Sequence, residues 1–117
     1  MEEAHRQFIY QNYDEAIKAY SNLIESKPED INLLLCRALC YIETAQYDLA
    51  IEDLEVADKV EFNNFQVYLR WGIALFYKGE MAKALKQFKA AEPLANAEYE
   101  KKMIGEWKQK CLKEQTP

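Results

Sequence analysis

The sequence repeats itself with a period of 34 residues, and this period limits the possible folds more than any other feature. The segments "NYDEAIKAY" (12–20), "QYDLAIEDL" (46–54) and "EMAKALKQF" (80–88) align without an insertion. Three columns of the alignment keep their residue type: Ala4, Ala38 and Gly72; Ala16, Ala50 and Ala84; Tyr20, Leu54 and Phe88. Because such a period is typical of stacked supersecondary units, the chain is predicted to be an array of three repeats.

Each repeat carries the apolar spacing of α-helices. Ala16, Tyr20, Leu23 and Ile24 show the i, i+3, i+4 and i+7 spacing that forms one helical face. Only three glycines and three prolines are present, which argues against a turn-rich β architecture. The fold class is therefore predicted to be all-α, with helices at about 2–11, 14–27, 31–44, 48–61, 65–78, 81–92 and 96–114. The column of small residues at positions 4, 38 and 72 is expected to let two helix backbones approach each other closely. The column of large residues at positions 20, 54 and 88 is expected to fill the space beyond them.

Several residues predict where the helices begin and end. Asp14 and Asp48 are expected to be N-caps. Pro28 should end the first repeat, because a helix rarely runs through the residue before a proline. Pro93 arrives early in the third repeat, so its second helix should be about three residues shorter.

The last predicted helix has an apolar stripe and lysines on its other side. The stripe consists of Tyr99, Met103, Ile104, Trp107, Cys111 and Leu112. A repeat array needs a terminal element to cover its last apolar face, so this helix is predicted to be a cap.

Charge is distributed unevenly over the 117 residues. Residues 1–34 have a net charge of −4, residues 35–68 one of −5 and residues 69–117 one of +4. This asymmetry indicates a solvated surface, or a patch that steers an acidic partner or a second copy. No nucleic-acid-binding motif accompanies the lysines, and no apolar run is long enough for a membrane span. The composition favours one domain in a reducing, intracellular setting.

The cysteines are the residues most suggestive of chemistry. Cys36 and Cys40 are spaced one helical turn apart, as metal or redox ligands can be. A zinc site requires four ligands, and Cys111 and His5 lie far away in the sequence. We therefore expect no metal and no cofactor, with Cys40 packing between helices and Cys36 in a groove.

No constellation of residues indicates an enzyme. The only histidine has no paired nucleophile, and there is no glycine-rich phosphate loop. The carboxylates of Glu52, Asp53 and Glu55 are predicted to lie on a solvated outer face.

The period and its columns resemble tetratricopeptide repeats over essentially the whole chain. This resemblance implies one domain of residues 1–117, with repeats at about 1–30, 31–64 and 65–95 and a capping helix at about 96–114. It implies a right-handed superhelix whose concave groove is lined by the first helix of each pair. By helical phase, the groove-lining residues are His5, Phe8, Ile9, Leu35, Cys36, Leu39, Glu43, Gln66, Leu69, Arg70, Ile73 and Tyr77. Because this lining is mostly apolar, it is expected to bind a protein partner.

One subclass of these repeats holds the C-terminal carboxylate of heat-shock chaperones with Lys, Asn, Asn, Lys and Arg. The corresponding positions here are Met1, His5, Cys36, Gln66 and Arg70, of which only Arg70 matches. Without the lysines and amides, a carboxylate would lose most of its charge-assisted hydrogen bonds. This carboxylate clamp is therefore predicted to be absent.

Three segments, "CRALCYI", "YLRWGIALFYKGE" and "YEKKMIGEWKQKC", are similar to the N-terminal domain of the suppressor-of-G2-allele co-chaperones. The residues that carry the similarity are Arg37, Ala38, Cys40, Leu69, Arg70, Gly72, Trp107 and Cys111. Trp71 departs from the lysine usual in that family, and it would be a candidate interface anchor if exposed.

The similarity to that family implies docking of the Skp subunit of cullin ubiquitin ligases and self-association. It also implies contact with the chaperone complex through a domain absent from these residues. The similarity implies that the protein is located in the cytoplasm and also in the nucleus. It further implies an association with the kinetochore.

Three functional hypotheses follow. The first is an adaptor that docks a partner such as the Skp-type subunit without a carboxylate clamp. The second is a homodimerisation module whose acidic half meets a basic half. The third is a chaperone-tail binder of another tetratricopeptide family.

Overall fold

The computed structural model describes residues 2–115, and these residues form helices that are joined by short turns. The helices are α1 (Glu2–Ile9), α2 (Tyr13–Ser26), α3 (Ile31–Glu43), α4 (Tyr47–Val60), α5 (Phe65–Lys78), α6 (Met81–Ala91) and α7 (Glu98–Gln115), with a 3-10 turn at Glu92–Leu94. Every predicted helix is present within two or three residues of its expected bounds, which confirms the all-α fold class. No helix in this part of the chain is both long enough and apolar enough to cross a lipid bilayer.

The helices form two compact units. The first unit extends to Glu61 and the second begins at Phe62. In the first unit, α2 packs against α1 and α3, and α3 packs against α4. In the second unit, α6 packs against α5 and α7. The assignment of residues 1–117 to one domain stays a prediction.

Side chains cap the N-termini of α3 and α5. The Asp30 carboxylate accepts hydrogen bonds from the amides of the second and third residues of α3, at 3.0 and 3.3 Å. The Asn64 side-chain oxygen does the same for α5, at 2.9 and 3.3 Å. These bonds satisfy amides that have no partner within the helix.

The prediction that Asp14 and Asp48 are N-caps is wrong. The helices α2 and α4 begin one residue before these aspartates, which therefore lie in the first turn. Gln11 and Ala45 have φ angles of 63° and 60°. This left-handed step redirects the backbone so that the next residue already occupies the cap position. In the first turn the two carboxylates still interact favourably with the helix dipole.

Both proline predictions are confirmed. The helix α2 ends at Ser26, two residues before Pro28. The helix α6 has 11 residues, whereas α2 and α4 have 14 each. The three missing residues are replaced by the 3-10 turn that contains Pro93.

The small and large columns pack as predicted. All six residues of these two columns are buried: Ala4, Ala38, Gly72, Tyr20, Leu54 and Phe88. A Cβ atom added to Gly72 would lie 2.5 Å from the Phe88 ring, which is closer than nonbonded atoms can approach. The column therefore needs a glycine here because the phenylalanine fills the space where a methyl group would go.

The cap helix α7 buries only the centre of its apolar stripe. Ile104 and Cys111 are fully buried, and Trp107 is partly buried. Tyr99 and Leu112 are 66% and 44% exposed, so their placement in a covered stripe is wrong. At about 100° per residue, Tyr99 lies roughly 140° around the helix from Ile104, and Leu112 lies roughly 100° from Cys111.

Candidate partner-binding surface

A buried ion pair fixes the helix that carries much of the predicted groove. Arg37 on α3 donates two hydrogen bonds to the carboxylate of Asp53 on α4, from Nε at 2.8 Å and from Nη2 at 2.6 Å. Its Nη1 donates to Ser21 Oγ on α2 at 3.1 Å. The hydrogen bonds with Asp53 raise the pKa of the Arg37 guanidinium. One arginine thus ties three helices of the first unit together.

This ion pair is a feature that sequence reasoning missed. Asp53 is only 5% exposed, so its predicted position on a solvated face is wrong. Its partner lies 16 residues earlier in the chain, a separation at which no local pattern connects two residues. The available signal was Arg37 itself, the single charged residue between Ile31 and Ile42.

His5 and Cys36 meet at one buried tyrosine. The Nδ1 atom of His5 lies 2.6 Å from the hydroxyl of Tyr20, and the two rings pack edge to face at 5.5 Å. Burial, reinforced by Cys36, raises the pKa of the Tyr20 hydroxyl well above its usual range. Burial also raises the pKa of the Cys36 thiol, although a hydrogen bond with Tyr20 partly opposes this effect. Both predicted groove residues thus pack beside the same buried tyrosine.

Cys40 is a packing residue, as predicted. It is fully buried in the core of the first unit, together with Ala4, Ala16, Tyr20 and Leu33. Burial raises the pKa of its thiol to about 12, so the thiol stays protonated and unreactive at neutral pH. Within residues 2–115, no group of three or more His, Cys, Asp or Glu side chains is arranged to hold a metal ion.

We expect the free energy of unfolding to fall as the pH rises from about 9 to about 12. The Cys40 pKa is higher in the folded chain than the ordinary value of 9.0. The thiol therefore stabilises the fold fully below pH 9 and loses this contribution towards pH 12. Urea unfolding at pH 8 and pH 10.5 should show a smaller decline for Cys40→Ala than for the unchanged chain. An equal decline would contradict this assignment.

The remaining predicted residues of the first unit differ in their exposure. Phe8 is partly buried and packs edge to face against Tyr13, with ring centroids 5.9 Å apart. Leu35 and Leu39 are also partly buried. Ile9 is 73% exposed, and Glu43 is exposed as well.

The predicted residues of the second unit all lie on α5. Leu69 and Ile73 are 1% and 8% exposed, so their side chains are buried and present almost no surface to a partner. Gln66 and Arg70 are partly buried, and Tyr77 is 55% exposed. Helical phase predicted their direction, but it cannot show what covers a side chain.

The two tryptophans have different surroundings. Trp71 is partly buried, so it is not the fully exposed anchor that its position would allow. Trp107 packs against three aromatic rings of α5 and α6, which confirms its prediction as a packing residue.

Four of the five positions that correspond to a carboxylate clamp lie within the described residues. Met1 lies outside the described residues. His5 and Cys36 are engaged with Tyr20, and Gln66 and Arg70 are partly buried on α5. Arg70 supplies the only cation among the four described positions.

Known proteins contain segments that are similar to this chain. No family model matches the sequence. The Hsp70-Hsp90 organizing protein of Triticum aestivum is 29% identical over 89 residues, which are 76% of this chain and 15% of that protein. The SGT1 homolog of Bos taurus is 26% identical over 107 residues, 92% of this chain and 31% of that protein. This chain spans less than a third of the length of the curated relatives that it matches.

Solved structures establish the fold. The TPR2B domain of yeast Sti1, in complex with an Hsp70 peptide, has a TM-score of 0.89 at 24% identity. The match covers 96% of this chain and 92% of that one. The first TPR domain of Spaghetti (RPAP3), bound to the HSP90 peptide SRMEEVD, has a TM-score of 0.87 at 23% identity, with 96% and 86% coverage. Together with the 34-residue repeat and the buried columns, these matches confirm the resemblance to tetratricopeptide repeats: the chain is a tetratricopeptide-repeat domain.

Proposed function

We propose that this tetratricopeptide domain is a non-catalytic adaptor that docks a protein partner without a carboxylate clamp. The partner that we propose is a Skp-type subunit of a cullin ubiquitin ligase, as in the suppressor-of-G2-allele co-chaperones. In the full-length protein a further domain would contact the chaperone complex, and the protein would act in the cytoplasm and the nucleus.

One observation carries the clamp-free form of this proposal. His5 and Cys36 occupy positions where a clamp would hold a carboxylate, and both are engaged with the buried Tyr20 hydroxyl. Neither side chain supplies a fixed positive charge, and the thiol is held protonated by burial. A terminal carboxylate would therefore lose its hydration without gaining the charged partners that offset this loss.

A second candidate is a chaperone-tail binder, because similar folds have been solved with Hsp70 and HSP90 peptides. Calorimetry with the peptide SRMEEVD separates the two candidates. We expect the free-acid and C-terminally amidated forms to bind equally weakly, within about twofold of each other. Micromolar binding that amidation abolishes would contradict the clamp-free proposal.

The proposed partner is tested with a purified Skp-type subunit. We expect it to bind the unchanged domain and to bind Arg70→Glu at least tenfold more weakly. Lys83→Glu makes the same charge change at a side chain that is 69% exposed on α6, so it should bind within about twofold of the unchanged domain. Absence of binding to the unchanged domain would overturn the assignment of this partner.

Self-association is a further candidate, and the opposite net charges of the two parts of the chain support it. Light scattering at low and high salt tests this candidate. A monomer under both conditions contradicts it, whereas a dimer that dissociates at high salt supports it.

A further inference from the structure

Three residues of the second unit form a surface that we call the aromatic ledge: Tyr77 of α5, with Trp107 and Lys110 of α7. The Tyr77 ring packs edge to face against the Trp107 indole, with ring centroids 6.1 Å apart at 82°. The indole also stacks on the buried Phe88, with ring centroids 5.5 Å apart at 21°. Trp107 is therefore held in place from the core, while Tyr77 remains 55% exposed beside it.

Lys110 holds its ammonium group over this indole. Its Nζ lies 4.4 Å from the ring centroid of Trp107. Two other lysines of α7 are paired with carboxylates: Lys108 with Glu92 at 2.9 Å and Lys101 with Glu98 at 3.6 Å. No carboxylate among residues 2–115 forms an ion pair with Lys110. The indole positions this cation without neutralising it, so the ammonium group can still attract an anion.

The charge of the surrounding unit favours an acidic ligand. From Phe62 onward the sequence has ten basic and six acidic residues, for a net charge of +4. The residues before Phe62 have five basic and fourteen acidic residues, for a net charge of −9. An anionic segment is therefore attracted to the unit that contains the ledge, and its orientation is steered by this field.

The ledge also offers an aromatic contact. An exposed tyrosine beside a fixed indole can take a third ring edge to face, an arrangement that stabilises beyond the burial of apolar area. A lysine within the same surface can bind a carboxylate that lies one or two residues from that ring. The recognised groups are side chains, so no free chain terminus is needed.

We propose that the aromatic ledge binds an internal acidic segment of a partner protein that carries an aromatic side chain. A carboxylate of the segment binds Lys110, and its aromatic ring packs on Tyr77 and Trp107. This inference rests on the adaptor function proposed above, whose partner chemistry it names.

The test is calorimetry of the intact domain with the peptide DEDFDED, acetylated and amidated at its ends. We expect it to bind, and we expect the peptide KKKFKKK with the same caps to show no binding. Lys110→Glu should weaken binding of the acidic peptide at least tenfold. Lys102→Glu is the matched control, because it makes the same charge change at an exposed position about 12 Å further towards the start of α7, and it should change binding by less than twofold.

Two further measurements test the aromatic contact. Replacing the phenylalanine of the peptide with alanine should weaken binding at least fivefold, and Tyr77→Ala in the domain should do the same. Circular dichroism melting of each variant separates a lost contact from a lost fold. Equal weakening by Lys110→Glu and Lys102→Glu would overturn the proposal, because it would show diffuse charge attraction. An alanine-containing peptide that binds equally well would overturn it too.

The outcomes also separate this inference from the adaptor function. If the acidic peptide does not bind but the Skp-type subunit binds the domain and its Lys110→Glu variant equally, the adaptor function stands and the ledge proposal is wrong. If the peptide binds as expected and the subunit does not, the ledge proposal stands and the proposed partner is wrong.

Discussion

Gly72→Ala is expected to destabilise the domain by about 1–2 kcal/mol. The new methyl group would lie 2.5 Å from Phe88 Cε1, 2.7 Å from Cδ1 and 2.8 Å from Cζ. The Phe88 ring cannot move aside freely, because it is fully buried and stacks on Trp107. Overpacking of this kind typically costs about 1–3 kcal/mol, and it outweighs the gain of roughly 1 kcal/mol from replacing glycine in a helix.

Gly105→Ala provides the matched control. Gly105 also lies inside a helix, α7, but apart from its chain neighbours and the backbone of its own helix no atom lies within 4 Å of the place where its Cβ would be. This variant should therefore be more stable than the unchanged domain by about 0.5–1 kcal/mol, from helix propensity alone. Urea unfolding followed by circular dichroism measures both variants. Destabilisation of similar size at both positions would contradict the packing explanation.

A double variant tests whether Phe88 is the cause of the clash. Phe88→Leu alone should destabilise the domain by leaving space near Gly72. In the Phe88→Leu background the alanine at position 72 should cost much less than in the unchanged domain, because the clashing ring is gone. The expected coupling between the two substitutions is on the order of 1–2 kcal/mol. Strict additivity would show that the strain lies elsewhere.

The fold was largely predictable because its signals are local and repeated. The column of Ala4, Ala38 and Gly72 recurs at one period, and every member is buried, with Gly72 packed against Phe88 of the same repeat. Helix starts were less predictable. Gln11 and Ala45 adopt a left-handed conformation for which glycine is the usual sequence signal, and neither is a glycine.

The candidate surface was only partly predictable. Helical phase identified the face that contains Tyr77, but it also assigned Leu69 and Ile73, which are buried. The phase of one helix does not reveal which neighbours cover it. The contact between Lys110 and Trp107 is a local i, i+3 pair, so its spacing could have been identified from the sequence. Its position beside an exposed Tyr77 required the packing of α5 against α7.

Asp53→Ala is expected to cost about 3 kcal/mol of unfolding free energy. The substitution leaves the Arg37 guanidinium without its two carboxylate bonds, and the Arg37 side chain is only 20% exposed. Removing one partner of a buried ion pair costs about 3–5 kcal/mol, because the other charge stays desolvated and unpaired. The lower end of this range applies here because water reaches part of the arginine, and Ser21 retains one of its hydrogen bonds.

The exposed pair Arg6–Glu3 is the control for Asp53→Ala. Its N–O distance of 2.7 Å is nearly the same as the 2.6 Å of Arg37–Asp53, but its side chains are 58% and 60% exposed. Glu3→Ala should therefore change stability by less than about 0.5 kcal/mol. Similar costs for the two pairs would show that distance, rather than burial, determines their contribution.

The double variant Arg37→Met, Asp53→Leu separates the value of the pair from the cost of an unpaired charge. Its apolar side chains leave no buried charge; leucine is close to aspartate in size, and methionine replaces the stem of the arginine. We expect it to be within about 1 kcal/mol of the unchanged domain, and more stable than either single substitution to alanine. If it is as unstable as Asp53→Ala, the hydrogen bonds among α2, α3 and α4 themselves stabilise the first unit. In that case the ion pair would be needed to hold α3, and with it the predicted groove residues of that helix, in place.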